Sequence, residues 1–302
     1  MSFASSLVEQ SIGPTGTKPR RLTAPRVAMY VFLVLSALFF LMPLYVMIVT
    51  SLKDMSEIRQ GHIFALPAAV TFKPWIKAWF SACFGLTCTG VSTGFFNSIK
   101  ITLPAVVCSV TLGAVNGYAL SFWRFPGANL IFAILMAGAF IPLQVFIYPI
   151  VRITSAVGLF GTLPGVILIH ICFSLPLMTL LFRNFYAAIP LDLFRAARVD
   201  GATFWQILVH VFVPMSVPII VVAFIIQVTG TWNDFILGLI LAGPDNWPIT
   251  VVLNNVVNSQ FGEREYNMNM AATILTGLVP LVLYFVSGRW FVRGIMAGAV
   301  KG

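Results

Sequence analysis

Amide and carboxyl side chains interrupt several long apolar runs of this 302-residue sequence. If those runs lie in lipid, each buried polar group is costly and is a functional candidate by default. For Asn116, Gln144 and Gln227 we predict hydrogen bonds between neighbouring helices, with contact to a polar ligand as the alternative. Asn233 and Asp234 end another run, and we predict that Asp234 lies at the outer end of its helix as a structural or gate-forming group.

Catalytic and metal-binding patterns do not occur in the sequence. His62 and His210 have no companion at metal-ligand spacing, and there is no H-E-x-x-H pattern. There is also no G-x-x-x-x-G-K-[ST] phosphate loop, so we predict that the chain cannot hydrolyse ATP alone. We therefore expect no catalytic residue, no metal site and no cofactor bound by this chain. We expect His170 to be a buried, neutral histidine bonded to a neighbour.

The four cysteines fall into two groups. Cys108 and Cys172 lie within apolar runs, where a cysteine usually packs as a small apolar side chain. Cys83 and Cys88 are five positions apart between two runs, and an oxidising compartment would let them form a disulfide. Spacing alone does not fix the Cα separation that a bridge needs, so the sequence leaves their pairing open.

The elements that must position these residues are membrane helices. Of all residues, 59% are hydrophobic and only 9% are charged, with a mean hydropathy of +0.95, whereas soluble domains carry about 25% charged residues. A membrane barrel is disfavoured because its strands would alternate apolar and polar residues. We predict an all-α membrane protein with six transmembrane helices. The predicted spans are the uncharged runs 27–52, 101–123, 125–151, 153–182, 211–233 and 266–288.

Charge placement predicts the orientation of the chain. With the N-terminal tail in the cytoplasm, eleven of the 18 lysines and arginines lie inside, as the positive-inside rule requires, and both termini are cytoplasmic. We interpret residues 1–26 as a cytoplasmic tail, 27–52 as the first transmembrane helix and 53–97 as a periplasmic segment with short amphipathic helices. The net charge of +9 indicates contact with the anionic lipid bilayer. It does not indicate nucleic-acid binding, because the positive charges are not concentrated on a soluble domain.

The inner connection around residues 190–209 is the most informative part of the sequence. Asp192 predicts the N-cap of a short helix, Gly201 its left-handed C-cap, and Thr203 the start of a second helix. The first helix would display Phe194 and Val199 as apolar knobs, which suits docking on another protein. An amphipathic connector lying among lipid headgroups is the alternative. The positions of the second helix that should face the bundle are Phe204, Ile207, Leu208 and Val211.

Several motifs together indicate a family. The connection reads Arg195-Ala196-Ala197-Arg198-Val199-Asp200-Gly201-Ala202, followed by Pro214 and Pro218. It resembles the EAA loop of permease subunits in bacterial binding-protein-dependent ABC importers. The motifs that extend the likeness are Thr50-Ser51-Leu52-Lys53, Asn97-Ser98, Ile141-Pro142-Leu143-Gln144 and Trp232-Asn233-Asp234-Phe235. The ending Gly294 to Gly302 is similar to that of the carbohydrate-uptake type 1 subfamily, on the MalG-like side of its heterodimer.

The resemblance implies a fold and a mechanism. The fold would be the type I ABC importer permease fold, with a transmembrane core at 98–290, an EAA-like loop with a cytoplasmic coupling helix at 190–218 and a cytoplasmic tail at 291–302. A separate dimeric ABC ATPase, which binds ATP and Mg²⁺, would pull the coupling helix and switch the path between inward and outward openings. The residues implied in ATPase coupling are Asp192, Arg195, Ala196, Ala197, Asp200, Gly201, Ala202, Lys301 and Gly302.

The resemblance also implies partners at the bacterial inner membrane. They are a second, MalF-like permease subunit, a periplasmic or extracellular solute-binding protein and a sugar, with Cys83 and Cys88 among the residues that look like the glucose/mannose-type branch. Arg195 stands where the family's loop has its glutamate, so the polar part of docking must differ here. The candidates for the translocation path are then Asn116, Gln144, Gln227, Asn233 and Asp234.

Two other classes of protein fit the sequence less well than an ABC permease. An ion-coupled secondary carrier would want acidic ion sites in the middle of the membrane and often an inverted repeat, but only Asp234 is available. An intramembrane metalloenzyme would need a ligand pattern that the sequence does not contain.

Overall fold

The fold is described from a computed structural model of the chain. It describes residues 23–84, 87–123, 125–258 and 264–299, and of 289–299 the backbone alone. The longer helices are α1 (Ala24–Ser51), α4 (Ser92–Phe122), α5 (Ala128–Ala139), α6 (Leu143–Ala156), α7 (Leu163–Ala187), α11 (Val217–Trp232), α13 (Ile249–Asn258) and α14 (Tyr266–Ala299). The shorter ones are α2 (Met55–Ile58), α3 (Lys73–Phe80), α8 (Leu191–Val199), α9 (Phe204–Ile207), α10 (Val213–Met215) and α12 (Ile236–Leu241).

Membrane-crossing helices dominate the described chain, as the composition predicts. Helices α1, α4, α7 and α14 are each long and apolar enough to cross a membrane. Two bent pairs pass the same test when each pair is taken as one span: α5 with α6, and the segment Phe204–Met215 with α11. The described residues therefore contain four straight spans, or six when the bent pairs are counted, and the all-α membrane fold is confirmed.

The chain divides into two compact units at a position inside α1. The first unit ends at Val46 and the second begins at Met47. In the first unit α1 is a continuous apolar helix with Pro43 inside it. All further helices belong to the second unit, which is described below.

Two of the predicted spans are not single straight helices. The run 125–151 breaks after Ala139, and α6 resumes directly behind Pro142 at an angle of 103° to α5. Proline has no backbone N–H and disfavours helical geometry in the residue before it, so the helix ends there. The run 211–233 likewise bends by 81° at Ser216, just before Pro218 in the first turn of α11.

The predicted span 153–182 is wrong at its start. Residues 153–156 complete α6, and α7 begins only at Leu163. Between them, Gly158 and Gly161 adopt positive φ angles of 71° and 77°, which turn the chain and end the helix. The hydroxyl oxygen of Thr162 then caps α7 by accepting a hydrogen bond from the Gly165 backbone N–H at 3.2 Å.

The most extensive helix packing among the described residues of the second unit joins α4 to α7. Gly113 and Gly117 lie one turn apart on α4, a small-xxx-small spacing that lets two helices approach closely. A Cβ atom built on Gly113 would lie 2.5 Å from the Cβ of Met178, and one on Gly117 would lie 2.6 Å from the Cβ of Phe182. These glycines therefore set the separation of the two helices.

Two buried clusters lie at opposite ends of α4, whose 31 residues span about 46 Å. We name the first the amide end, because the Asn97 side chain lies there, and the second the aromatic end, because of its rings. The amide end, at the first turns, is built on Ala78, Ala82, Val91, Trp232, Ile249, Val252, Val256, Met268, Ala271 and Ala272. The aromatic end, at the last turns, is built on Ala114, Tyr118, Met178, Phe182, Tyr186, Ile207, Leu208, Phe212 and Ala223.

Hydrogen bonds tie the amide end to the segment between α12 and α13. The Asn97 side chain donates to the carbonyl oxygens of Asp245 at 3.0 Å and of Trp247 at 3.2 Å. The Ser98 hydroxyl accepts from the Ile249 backbone N–H at 2.9 Å. The motif Asn97-Ser98 thus holds the start of α13 against α4.

The segment predicted as 53–97 contains short helices, as expected, and also the first six residues of α4. At its start Lys53 is only 2% exposed, and its ammonium group donates to the His62 carbonyl oxygen at 2.9 Å. Farther along, Cys83 and Cys88 face each other across an antiparallel pair of two-residue strands, β1 (Cys83–Phe84) and β2 (Thr87–Cys88). The two Sγ atoms are bonded, at 1.99 Å, so the structure forms the disulfide that the sequence left open.

Candidate functional site

The predicted helix-turn-helix is formed by α8, a turn and α9. Gly201 has a φ of +79°, the left-handed conformation predicted for it, and the turn places Thr203 before α9. The Gln206 side-chain oxygen accepts from the Thr203 backbone N–H at 2.8 Å, which satisfies one donor at the start of α9. Asp192 is not the N-cap that we predicted, because α8 begins at Leu191 directly after Pro190. Its carboxylate lies in the first turn, where the helix dipole favours negative charge.

Helix α8 has one exposed face and one packed face. Val199 is 86% exposed and lies among neighbours that are all accessible from outside. The exposed side chains of this face are Asp192, Arg195, Ala196 and Val199. Phe194 and Ala197 lie three positions apart and pack inward against the aromatic end. The interpretation of Phe194 as an exposed knob was therefore wrong, and that of Val199 matches the structure.

The turn that follows α8 continues its exposed surface. Asp200 and Gly201 are exposed, while Ala202 packs partly against the aromatic end. Trp205, at the start of α9, is 61% exposed. A partner surface would therefore meet an apolar side chain on either side of the turn, at Val199 and at Trp205.

Aromatic rings fix the inner face of this element to α4. The Phe194 ring stacks on Phe122 with centroids 5.1 Å apart and planes at 19°. Tyr118 contacts Phe204 at 4.8 Å, and Phe212 lies 4.6 Å from Phe122. Each such pair contributes about 0.5–1.5 kcal/mol beyond the area that it buries. Several pairs together make α8, α9 and the end of α4 one packed unit, which sequence reasoning missed apart from the helical spacing of Phe204.

The positive charges of α8 differ in their surroundings. Arg198 lies over the Trp123 ring, 4.9 Å from its centroid, in a cation–π contact that turns it toward α4. Arg195 points outward and lies 3.3 Å from Asp192, and both side chains are largely exposed. Exposed pairs of this kind contribute at most about 1 kcal/mol, so Arg195 can exchange Asp192 for another carboxylate at low cost.

The amides predicted to bond between helices do so at two of three positions. Asn116 on α4 donates to the Thr179 hydroxyl on α7 at 3.5 Å. Gln227 on α11 donates to the Ser174 hydroxyl on α7 and to the Thr231 hydroxyl at 3.1 Å. Gln144 is exposed in the first turn of α6, away from these pairs. The α7 partners of Asn116 and Gln227 thus lie at different positions along that helix, and the three amides do not form one site.

Asp234 holds the break between α11 and α12, while its neighbour Asn233 is exposed. Its carboxylate accepts from the backbone N–H groups of Leu237 at 3.3 Å and Gly238 at 2.9 Å, which caps α12. The Nε2 atom of His170 lies 3.8 Å from the same carboxylate, and both side chains are largely buried. His170 is buried beside a neighbour, as predicted, but no sequence pattern indicates that this neighbour is Asp234.

The remaining candidates are placed as follows. No group of three or more histidine, cysteine, aspartate or glutamate side chains is positioned for a metal ion within the described ranges. Cys108 and Cys172 are exposed on α4 and α7, and not packed inside as expected. Lys301 and Gly302 lie outside the described residues. The best-developed functional surface of the described chain is therefore the exposed face of α8.

A solved structure shares this fold. A chain of the crystal structure of a bacterial ABC transporter involved in the import of the acidic polysaccharide alginate superimposes with a TM-score of 0.74 at 22% identity. The alignment covers 91% of this chain and 100% of that one. The fold of this chain is therefore that of a type I ABC importer permease, as the resemblance implied.

Residues 109–296 match the family of the binding-protein-dependent transport system inner membrane component. The osmoprotective compounds uptake permease protein GgtD of Synechocystis is 36% identical over 72% of this chain and 72% of its own length. The trehalose transport system permease protein SugB of Mycobacterium tuberculosis is 33% identical over 87% of this chain and 93% of its own. This chain belongs to that family and is a multi-pass membrane protein, and the ion-coupled carrier has no support.

Proposed function

We propose that this chain is the permease subunit of an ATP-driven sugar importer and forms half of its translocation pathway. One observation carries the proposal: α8 has an exposed face, and its opposite face is fixed to the end of α4 through stacked rings. A partner that displaces α8 therefore moves the end of a membrane span with it. Such a connection supports alternating access powered by a separate ATPase.

The assembly that fits this role has four kinds of partner. A dimeric ABC ATPase that binds ATP and Mg²⁺ takes α8 into a cleft, with Val199 and Trp205 supplying the apolar contact. A second, MalF-like permease subunit completes the pathway, and a solute-binding protein delivers the sugar from the periplasmic side. The lipid bilayer surrounds the spans, and both termini are cytoplasmic. The coupling residues named above, including Lys301 and Gly302, act at the ATPase side.

We expect the positive charge of Arg195 to require a negatively charged partner in the ATPase cleft. The Arg195 side chain is 67% exposed, and that of its neighbour Asp192 on α8 is exposed as well. A carboxylate in the cleft can therefore bind Arg195 in place of the family's glutamate interaction. The cognate ATPase should carry an acid at this contact.

The substrate class follows from the relatives. SugB is named for trehalose and GgtD for osmoprotective compounds, which supports a sugar or a sugar-like polyol. The glucose/mannose-type branch remains a narrower proposal, based on motifs such as Asn116-Gly117-Tyr118 and on the cysteine pair.

The proposal is tested with the complete transporter in vesicles that contain ATP. We expect uptake of a radiolabelled neutral sugar that requires both ATP and the loaded binding protein. Val199→Glu should lower uptake and co-purification of the ATPase at least tenfold, because a charge is placed in the centre of the apolar contact. Val157→Glu, at another exposed valine in the turn after α6, is the matched control and should leave ATPase binding unchanged.

Two results would contradict the proposal. Uptake that follows an ion gradient without ATP would identify a secondary carrier. Full ATPase binding by the Val199→Glu protein would remove the exposed face of α8 from the coupling contact.

A further inference from the structure

Helix α13 has two faces of different chemistry. Its apolar face is buried in the amide end through Ile249, Val252 and Val256. Its opposite face presents Asn254 and Asn258, which are exposed and lie one turn apart. Neither amide belongs to the exposed face of α8 or to the motifs that resemble the family.

The amide face lines a groove between α13, α14 and the residue before α12. The groove measures about 430 Å³, within the range of roughly 300–1,000 Å³ typical of small-molecule sites. Phe235, just before α12, and Thr273, on α14, lie beside Asn254 and Asn258, and the other lining residues, all on α13, are Thr250, Leu253 and Val257. None of its described lining residues is charged.

The two amides are already ordered with respect to each other. The Asn258 side-chain nitrogen donates to the Asn254 side-chain oxygen at 2.8 Å. This bond directs the two N–H donors of Asn254 and the carbonyl oxygen of Asn258 to other partners. The pair therefore offers donors and an acceptor side by side, as the hydroxyl groups of a saccharide require.

Hydrogen bonds at its first two residues hold α13, the helix that carries the amides, in place. Its first residue, Ile249, donates a backbone hydrogen bond to Ser98 on α4. The next residue, Thr250, donates its hydroxyl to the backbone oxygen of Asp234. A site on a fixed helix keeps its geometry better than one on a loop.

We propose that this groove is a transit site for a neutral sugar. The Phe235 ring supplies a face for the apolar C–H side of the sugar, and Asn254 and Asn258 bind its hydroxyl groups. A neutral sugar is favoured over an acidic one because no cation lies among the described lining residues. The inference rests on the proposed function of sugar import and adds a site to it.

The test compares two alanine variants of α13 in the complete transporter. Asn254→Ala combined with Asn258→Ala removes the groove amides, and Asn255→Ala removes a neighbouring amide of α13 that does not line the groove. Vesicles carrying each protein receive ATP, saturating binding protein and one radiolabelled sugar from the set glucose, maltose, trehalose and glucuronate. The readouts are sugar molecules imported per ATP hydrolysed, and the ATPase rate stimulated by the loaded binding protein.

We expect the double variant to import about thirtyfold less neutral sugar per ATP, since two hydrogen bonds of about 1 kcal/mol each are lost. Stimulation of the ATPase should remain within twofold, and Asn255→Ala should change neither readout. Asn254→Lys, which adds a cation to the groove, should improve import of glucuronate relative to the neutral sugars.

Three results would overturn the site. Unchanged import by the double variant would show that the amides do not meet the sugar. Parallel loss of ATPase stimulation would assign this face to the binding protein, and loss of the second permease subunit on purification would assign it to the subunit interface. Failure of the unaltered transporter to import any sugar of the set would instead contradict the proposed function.

Discussion

At its first turns α4 combines directional hydrogen bonds with apolar packing, whereas at its last turns it is held mainly by aromatic rings. Asn97 and Ser98 bond to backbone groups of the segment before α13. Tyr118 and Phe122 instead contact the rings of α8 and α9 at centroid distances of 4.8–6.4 Å. Hydrogen bonds weaken steeply when their angle changes, while ring contacts occur over a broad range of separations and tilts.

This difference indicates which end of α4 keeps a fixed geometry and which end can move. The end bound to α13 has one preferred geometry, which suits a groove that must recognise a small molecule. The end bound to α8 keeps its contact while the rings shift, which suits an element that an ATPase moves. We therefore expect loss of a hydrogen-bonding side chain at the amide end to reduce stability, and loss of a contacting ring at the aromatic end to reduce the transfer of motion.

The largest effect should come from separating α4 and α7 beneath the aromatic end. Gly117→Leu places side-chain atoms where a Cβ alone would already lie 2.7 Å from the Arg183 backbone nitrogen. A backbone atom cannot rotate away, so we expect little folded protein in detergent, measured by size-exclusion chromatography of a fluorescent fusion. Gly277→Leu, on the open side of α14, is the control and should fold normally. A stable Gly117→Leu protein would contradict the role assigned to this contact.

The next effect should be a loss of coupling at the aromatic end. Phe194→Ala removes the ring stacked on Phe122 while leaving the exposed face of α8 intact. We expect the ATPase to remain bound, but sugar import per ATP to fall about tenfold, because losing a half-buried ring costs about 1.4 kcal/mol of contact. Uptake and ATP hydrolysis are measured on the same vesicles.

The control for this change is Leu193→Ala, which shortens an exposed neighbour on the same helix. It should leave import per ATP unchanged. Equal losses in both proteins would mean that α8 transmits motion without the ring contacts.

The smallest effect should arise at the amide end. Asn97→Ala leaves the carbonyl oxygens of Asp245 and Trp247 without their donor, which costs about 1–3 kcal/mol. We expect a lower midpoint of thermal unfolding in detergent, with import per ATP nearly unchanged in the protein that remains folded. Thr93→Ala, at an exposed position in the first turn of α4, should have no effect. If Asn97→Ala uncoupled transport as strongly as Phe194→Ala, the contrast between the two ends would fail.

The sequence predicts the parts of the fold that depend on local chemistry. Gly201 and Thr203 are turn and cap residues by type, and both occupy those positions. Asn116 and Gln227 are polar groups in apolar runs, and both bond to α7. These results follow from the cost of leaving a backbone or amide group unpaired in lipid.

The parts that the sequence does not predict depend on contacts distant in the chain. Pro142 was visible, but only the packing of α5 and α6 decides that the chain bends by 103° there. Phe194 looked exposed because its partner Phe122 lies on another helix, 72 positions away in the sequence. The pairing of His170 with Asp234 joins α7 to the break between α11 and α12 in the same way. Periodicity identifies which residues share a face, but not which other helix that face meets.

The bond between Cys83 and Cys88 also carries a record of where the chain has been. Thiols pair in oxidising compartments and stay reduced in the cytosol. In the proposed orientation Cys83 and Cys88 lie on the oxidising side and this bond forms, whereas a chain inserted the other way round would keep two thiols. Gel mobility after thiol labelling would thus measure the fraction of correctly inserted chains, without any measurement of transport.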